Sequence, residues 1–185
     1  GSKFDISLEQ ILGIIRKIKK DMIEPTKDFN PVKYKQQIGQ KLGTSKWFPV
    51  DQEMISDFGT LTLDPAPFHD DPEWAREHSP YKTTISYGFL TISLLAPMLR
   101  DTRLIDRSEY ANALNYGFDK LRMIAPVPVN SRIRGHFTCK DLIEQNPGEF
   151  RFTIYVEVEV ENQEKPALIV DWVFLILVDQ AAVKR

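Results

Sequence analysis

The spacing of apolar and polar positions changes along the chain, and each spacing predicts an element. From Ser7 to about Met22, Leu8, Ile11, Leu12, Ile14, Ile15 and Ile18 recur at helical intervals, with Glu9, Arg16, Lys17, Lys19 and Lys20 mostly on the other side. Glu24-Pro25-Thr26 ends that pattern, and Asp28 to Lys41 reads as a polar connection. Trp47 to Val50 reads as a short extended piece. Asp51 is a good helix cap, with Met54, Ile55 and Phe58 on the apolar side of the helix it opens. Gly59 to Pro80 holds four prolines and reads as a long loop.

Tyr87 to Leu99 is apolar all round apart from small hydroxyls, the pattern of a buried helix. Thr102 to Leu114 reads as a more exposed helix or an irregular excursion. Strands follow. Asn115–Met123 and Arg132–Leu142 are the weaker ones. Phe150, Phe152, Ile154, Val156, Val158 and Val160 alternate with polar neighbours, which predicts a strand with one wet face. Pro147-Gly148 and residues 162–165 supply turns, and Ala167 to Val178 is a nearly continuous apolar strand. A helix with no wet face followed by long consecutive strands packs most simply as a curved antiparallel sheet around that helix, an α+β fold.

Composition narrows the function classes. The 185 residues fit one domain, and 11 Phe, 6 Tyr and 3 Trp suffice for a sizeable core. Lys and Arg number 24 against 26 Asp and Glu, a net charge of −2 that excludes broad electrostatic capture of nucleic acid. The apolar runs are too short for a membrane span. Cys139 stands alone, so no internal disulfide forms; this fits a reducing, cytoplasmic compartment, with the thiol buried in a strand. Phosphate-loop, dinucleotide, CxxC and HExxH patterns are missing, and with three scattered histidines no metal site and no cofactor is expected.

The chemistry concentrates between Asp57 and Pro72. Asp64 and His69 lie five residues apart with Pro65 and Pro67 stiffening the loop between them. A carboxylate and an imidazole aimed at one point hold a water and move its protons, since His titrates near neutrality and Asp stays ionised. On pattern alone, a plain loop with Asp64 capping a turn and His69 exposed is the favoured reading of the stretch. His78 and His136 are expected to have no site role. Asp171, the one charge in an apolar strand, is expected to find a partner.

Thr62, Asp64, Pro67, His69 and Ala75 together resemble the hydratase motif of the MaoC-like family, the (R)-specific enoyl-CoA hydratases and their dehydratase relatives. Residues 84–90, 115–122 and 125–132 resemble that family's following segments, closest to its nodulation-protein N-like branch. The resemblance runs from Trp47 to Val178. It implies a hot-dog domain over residues 46–185, with residues 1–45 as an N-terminal helical extension. It further implies a homodimer and an acyl thioester substrate, on coenzyme A or acyl carrier protein, with reversible hydration of a trans-2-enoyl group. Carried over by position, Asp64 and His69 form the catalytic pair. The Gly88 N–H stabilises the enolate-like oxygen, and Phe68, Asp71, Ser86 and Tyr87 lie against substrate.

Three positions depart from the motif. Leu63 stands where the family has Gly, which predicts a different backbone turn, since Gly reaches positive φ at little cost and Leu does not. Ala66 replaces Asn, and Tyr87 replaces the His before Gly88 while keeping a hydroxyl donor. These departures keep two alternatives open: a non-catalytic acyl-thioester binding or scaffolding protein of the same fold, and a hot-dog thioesterase.

Overall fold

The computed structural model describes residues 29–102 and 113–178. The helix expected over 7–22 and most of the excursion expected over 102–114 lie outside the described residues. Six strands form one antiparallel sheet: β1 (Lys41–Thr44), β2 (Phe48–Val50), β3 (Ala113–Met123), β4 (Ser131–Asn146), β5 (Glu149–Val160) and β6 (Leu168–Leu177). Their order is β1-β4-β5-β6-β3, with β2 also pairing with β4.

The alternation in β5 does what it predicts. Phe150, Phe152, Ile154, Val156, Val158 and Val160 are all buried, and Phe137 and Cys139 of β4 lie opposite Val156 and Ile154. Burying each such large side chain stabilises by about 1.5–3 kcal/mol. The β4–β5 turn needs Gly148, whose φ is 77°.

Residues expected to be a polar connection instead pack onto the sheet. Asn30 accepts from the Lys33 N–H (3.2 Å) and Pro31 opens α1 (Pro31–Gln36), a helix start written in only two residues. Phe29 stacks on Tyr34 at 5.3 Å; Phe29 meets Phe150 at 5.4 Å and Tyr34 meets Phe152 at 5.2 Å. With β1 paired to β4, the sheet and core take in residues 29–44.

Two further expectations are corrected. The stretch from Gly59 to Pro80 is mostly helical: α2 (Gln52–Thr62), capped by Asp51 on the Met54 N–H at 2.9 Å, is followed by α3 (Pro67–Asp70) and α4 (Pro72–His78). Two of the prolines that suggested a loop sit at the first positions of those short helices, where a missing N–H costs nothing. The apolar run from Tyr87 is also two helices, α5 (Gly88–Ser93) and α6 (Leu95–Thr102), broken at Leu94. Leu90, Leu95 and Met98 are buried against the sheet layer, but Phe89 is 75% exposed. Among the described residues no helix is long and apolar enough to cross a membrane.

Candidate active site

His69 is fixed from several directions before any ligand arrives. Its N–H donates to Ala66 O (2.8 Å), and the Gln52 amide donates to its carbonyl (2.8 Å). Gln52 in turn accepts from the Thr84 hydroxyl at 2.6 Å, and the Ile85 N–H donates to Phe68 O at 3.2 Å. The imidazole lies between Phe68 and Tyr87, with ring centroids 4.0 and 3.7 Å away, and is only 8% exposed. Its Nδ1 is 2.6 Å from Ile85 O. A carbonyl only accepts, so Nδ1 carries the proton and Nε2 is the nitrogen left for chemistry.

Beside it, Tyr87 makes a buried knot. Its one hydroxyl proton is shared between Asp70 Oδ2 (2.7 Å) and the Asp64 carbonyl (2.9 Å). The same Asp70 oxygen accepts from the Ala66 N–H at 2.9 Å, while Asp70 Oδ1 is buried with no partner among the described residues. Burial, and then the hydrogen bond and negative charge of Asp70, push the Tyr87 phenol up to about 12, so it stays a proton donor. Gly59 makes the knot possible: a Cβ there would overlap the Tyr87 hydroxyl and stand 3.0 Å from its Cζ and 3.1 Å from Asp70 Oδ2.

The turn between α2 and α3 keeps the left-handed residue that a glycine would supply. Leu63 takes φ 59° and ψ 31°, and the Asp64 N–H donates to Gly59 O at 3.0 Å across it. Leu63 itself thus takes up the positive φ that Gly reaches at little cost. The backbone holds its path at a cost of roughly 1–2 kcal/mol for an L-residue in this region, and the Leu63 side chain is 89% exposed.

A cavity of about 330 Å³ opens where α3, α5 and the segment after β3 meet. His69, Ser86, Gly88 and Thr91 line it together with Met123 to Val127 and Ala167. Of the residues expected at the site, His69, Ser86 and Gly88 therefore share one cavity. Phe68 and Tyr87 flank the His69 ring without lining the cavity. Asp71 caps α4, accepting from the Glu73 and Trp74 N–H groups at 3.1 and 2.9 Å. Asp64 is exposed on the turn, and no hydrogen bond joins its carboxylate to His69 among the described residues.

Sequence reasoning missed Asp70, Gly59, Gln52 and Met123. Asp70 and Gly59 both stood in the stretch from Asp57 to Pro72, but the roles of Gly59, Gln52 and Met123 depend on contacts with side chains or backbone from other segments. His78 stacks on Trp74, and His136 joins Thr44 and Glu159, away from the cavity. Cys139 is buried, and that burial pushes its thiol up to about 11. Asp171 does find a partner, Lys140 at 2.5 Å.

A six-stranded antiparallel sheet with a helical layer, and a histidine and a helix-start glycine facing one cavity, define a class. Residues 33–164 match the family described as MaoC like domain, and the chain belongs to that family. Its fold is the hot-dog fold. Among relatives, it is similar to nodulation protein N of Rhizobium meliloti (strain 1021): 40% identical over 136 residues, covering 74% of this chain and 84% of that one. It is similar to 3-hydroxyacyl-thioester dehydratase Z of Mycobacterium tuberculosis: 35% identical over 133 residues, 72% of this chain and 86% of the other. Among solved structures, the (R)-hydratase from A. caviae involved in PHA biosynthesis superposes with a TM-score of 0.60 at 20% identity, over 76% of this chain and 96% of that one.

Proposed function

We propose that the protein hydrates a trans-2-enoyl thioester reversibly to the (R)-3-hydroxyacyl thioester. The observation that carries the reading is the single cavity shared by His69 and Gly88. The similarity to a 3-hydroxyacyl-thioester dehydratase supports the reaction class. In this reading His69 Nε2 takes a proton from water as its oxygen bonds to C3. The C2=C3 π electrons shift toward the thioester and C2 receives a proton in turn. Gly88, the first residue of α5, has an N–H with no intrahelical partner, and it faces the oxygen where charge develops. Asp64 belongs to the pair by its place in the motif, standing three residues before the first turn of α3. The substrate is an acyl group on coenzyme A or an acyl carrier protein. A second copy of the chain covers the exposed face of α5 around Phe89, giving a homodimer.

Steady-state hydration of crotonyl-CoA by the wild type, Asp64→Asn and His69→Ala tests this. Losing general acid–base catalysis lowers kcat by about 10²–10⁴-fold. Equal, background turnover by all three proteins overturns the enzymatic reading. The exposed position of Asp64 favours one rival, a protein that binds acyl thioesters without hydrating them. That rival predicts acyl-CoA binding with no turnover.

A further inference from the structure

The part of the cavity lining that follows β3 is built from fixed backbone with one soft side chain. Beyond β3 the chain is pinned by the Ile124 and Ala125 N–H groups on Ala167 O, at 2.8 and 3.3 Å. Val127 O is held by the Ser86 N–H at 2.8 Å, so the segment cannot drift from α5. Ile124, Ala125, Pro126 and Val127 are short or branched, with little reach. Met123, the last residue of β3, differs. It is 48% exposed, and its side chain lies along Gly88. The three atoms nearest to where a Cβ on Gly88 would stand all belong to it: Cε at 3.0, Sδ at 3.4 and Cγ at 3.7 Å.

The space that glycine leaves open is thus filled by the thioether of Met123. Methionine is unbranched and turns about three bonds, so it yields to a slim group and resists a bulky one. We infer that Met123 is the specificity-determining residue that restricts this site to acyl groups unbranched at C2. This rests on the acyl-thioester reading above: with the thioester oxygen at Gly88, C2 and its substituents lie beside the Met123 methyl. A straight chain passes along the thioether, whereas a methyl branch at C2 competes with it for the same volume.

Isomeric ligands isolate the effect, because they bury the same number of carbons and differ only in shape beside the thioester. Dissociation constants of butyryl-CoA and isobutyryl-CoA, measured by calorimetry on the full chain, give the preference directly. Wild type should favour butyryl-CoA by about tenfold, the lower end of what one misplaced methyl costs in an apolar pocket. Met123→Ala should reduce that ratio to about twofold or less by admitting the branch, and Met123→Leu, close in volume, should keep most of it. An unchanged ratio in Met123→Ala, or no preference in the wild type, overturns the inference. Failure of both isomers to bind any of the proteins overturns it together with the acyl-thioester reading. A ratio that shifts as expected, in a protein that does not hydrate crotonyl-CoA, supports Met123 as the selector and defeats only the proposed reaction.

Discussion

Around His69, the Tyr87 hydroxyl, Asp70 Oδ2 and the imidazole are held by specific partners away from solvent; on β4 and β5, similar groups pair in reach of solvent. Tyr87, Asp70, the Ala66 N–H and the Asp64 carbonyl lock the turn before α3, with Gly59 leaving just enough room. On the sheet, Arg132 pairs with Glu161, and Arg134 with Glu159 at 2.6 Å; Glu159 also meets His136 Nε2 at 2.6 Å, and Arg134 lies 4.3 Å over Trp47. Both regions use charge and hydrogen bonds. What separates them is water: a buried group has no substitute partner, while an exposed ion pair is screened and replaceable. Precision at the cavity therefore depends on steric fit more than on the count of charges.

The sharpest way to break that contrast is to fill the space at Gly59. Gly59→Ala should destabilise by about 1–3 kcal/mol, the usual cost of overpacking a tight site, and should lower turnover by displacing His69. In a Tyr87→Phe background the added cost of Gly59→Ala should shrink, because the hydroxyl is the atom its Cβ meets first. Denaturant melts of the four proteins read the cycle, and strictly additive effects would mean that the knot is not the source of the strain.

The sheet side predicts a smaller, pH-dependent effect. The Arg134 guanidinium, and His136 after it, hold the Glu159 carboxyl below the usual carboxylate range. A depressed carboxylate stabilises the fold at and above its ordinary pKa and loses that contribution as pH falls through the lowered value. Glu159→Gln should therefore soften the acid limb of the stability profile only slightly and leave crotonyl-CoA turnover unchanged. Added salt should shrink the difference further. A large loss of activity in Glu159→Gln would erase the distinction between the two regions.

The same distinction explains what could be read before the structure. Strand β5 was legible because a strand with one wet face writes its environment in period two, and β6 because a strand buried on both faces reads as a nearly continuous apolar run. His69 was legible because its motif is local. Residues 87–99 read as one buried helix, yet uniform apolarity does not say which face the chain itself covers, and Phe89 lies outside. The prolines of 59–80 read as loop formers, although at a first helical position proline is compatible with a helix. Leu63 shows the limit from the other side, since a preference of roughly 1–2 kcal/mol was overridden by the turn it sits in. Gly59 and Met123 were silent because each matters only through a side chain that folding brings from elsewhere.

We propose that the cavity joining His69 and Gly88 adds water across an enoyl thioester. Chiral analysis of the product formed from crotonyl-CoA tests it most directly. The account predicts (R)-3-hydroxybutyryl-CoA with the thioester intact, and loss of that product in His69→Ala. Release of free coenzyme A without hydration, or the same product at the same rate from His69→Ala, would contradict it.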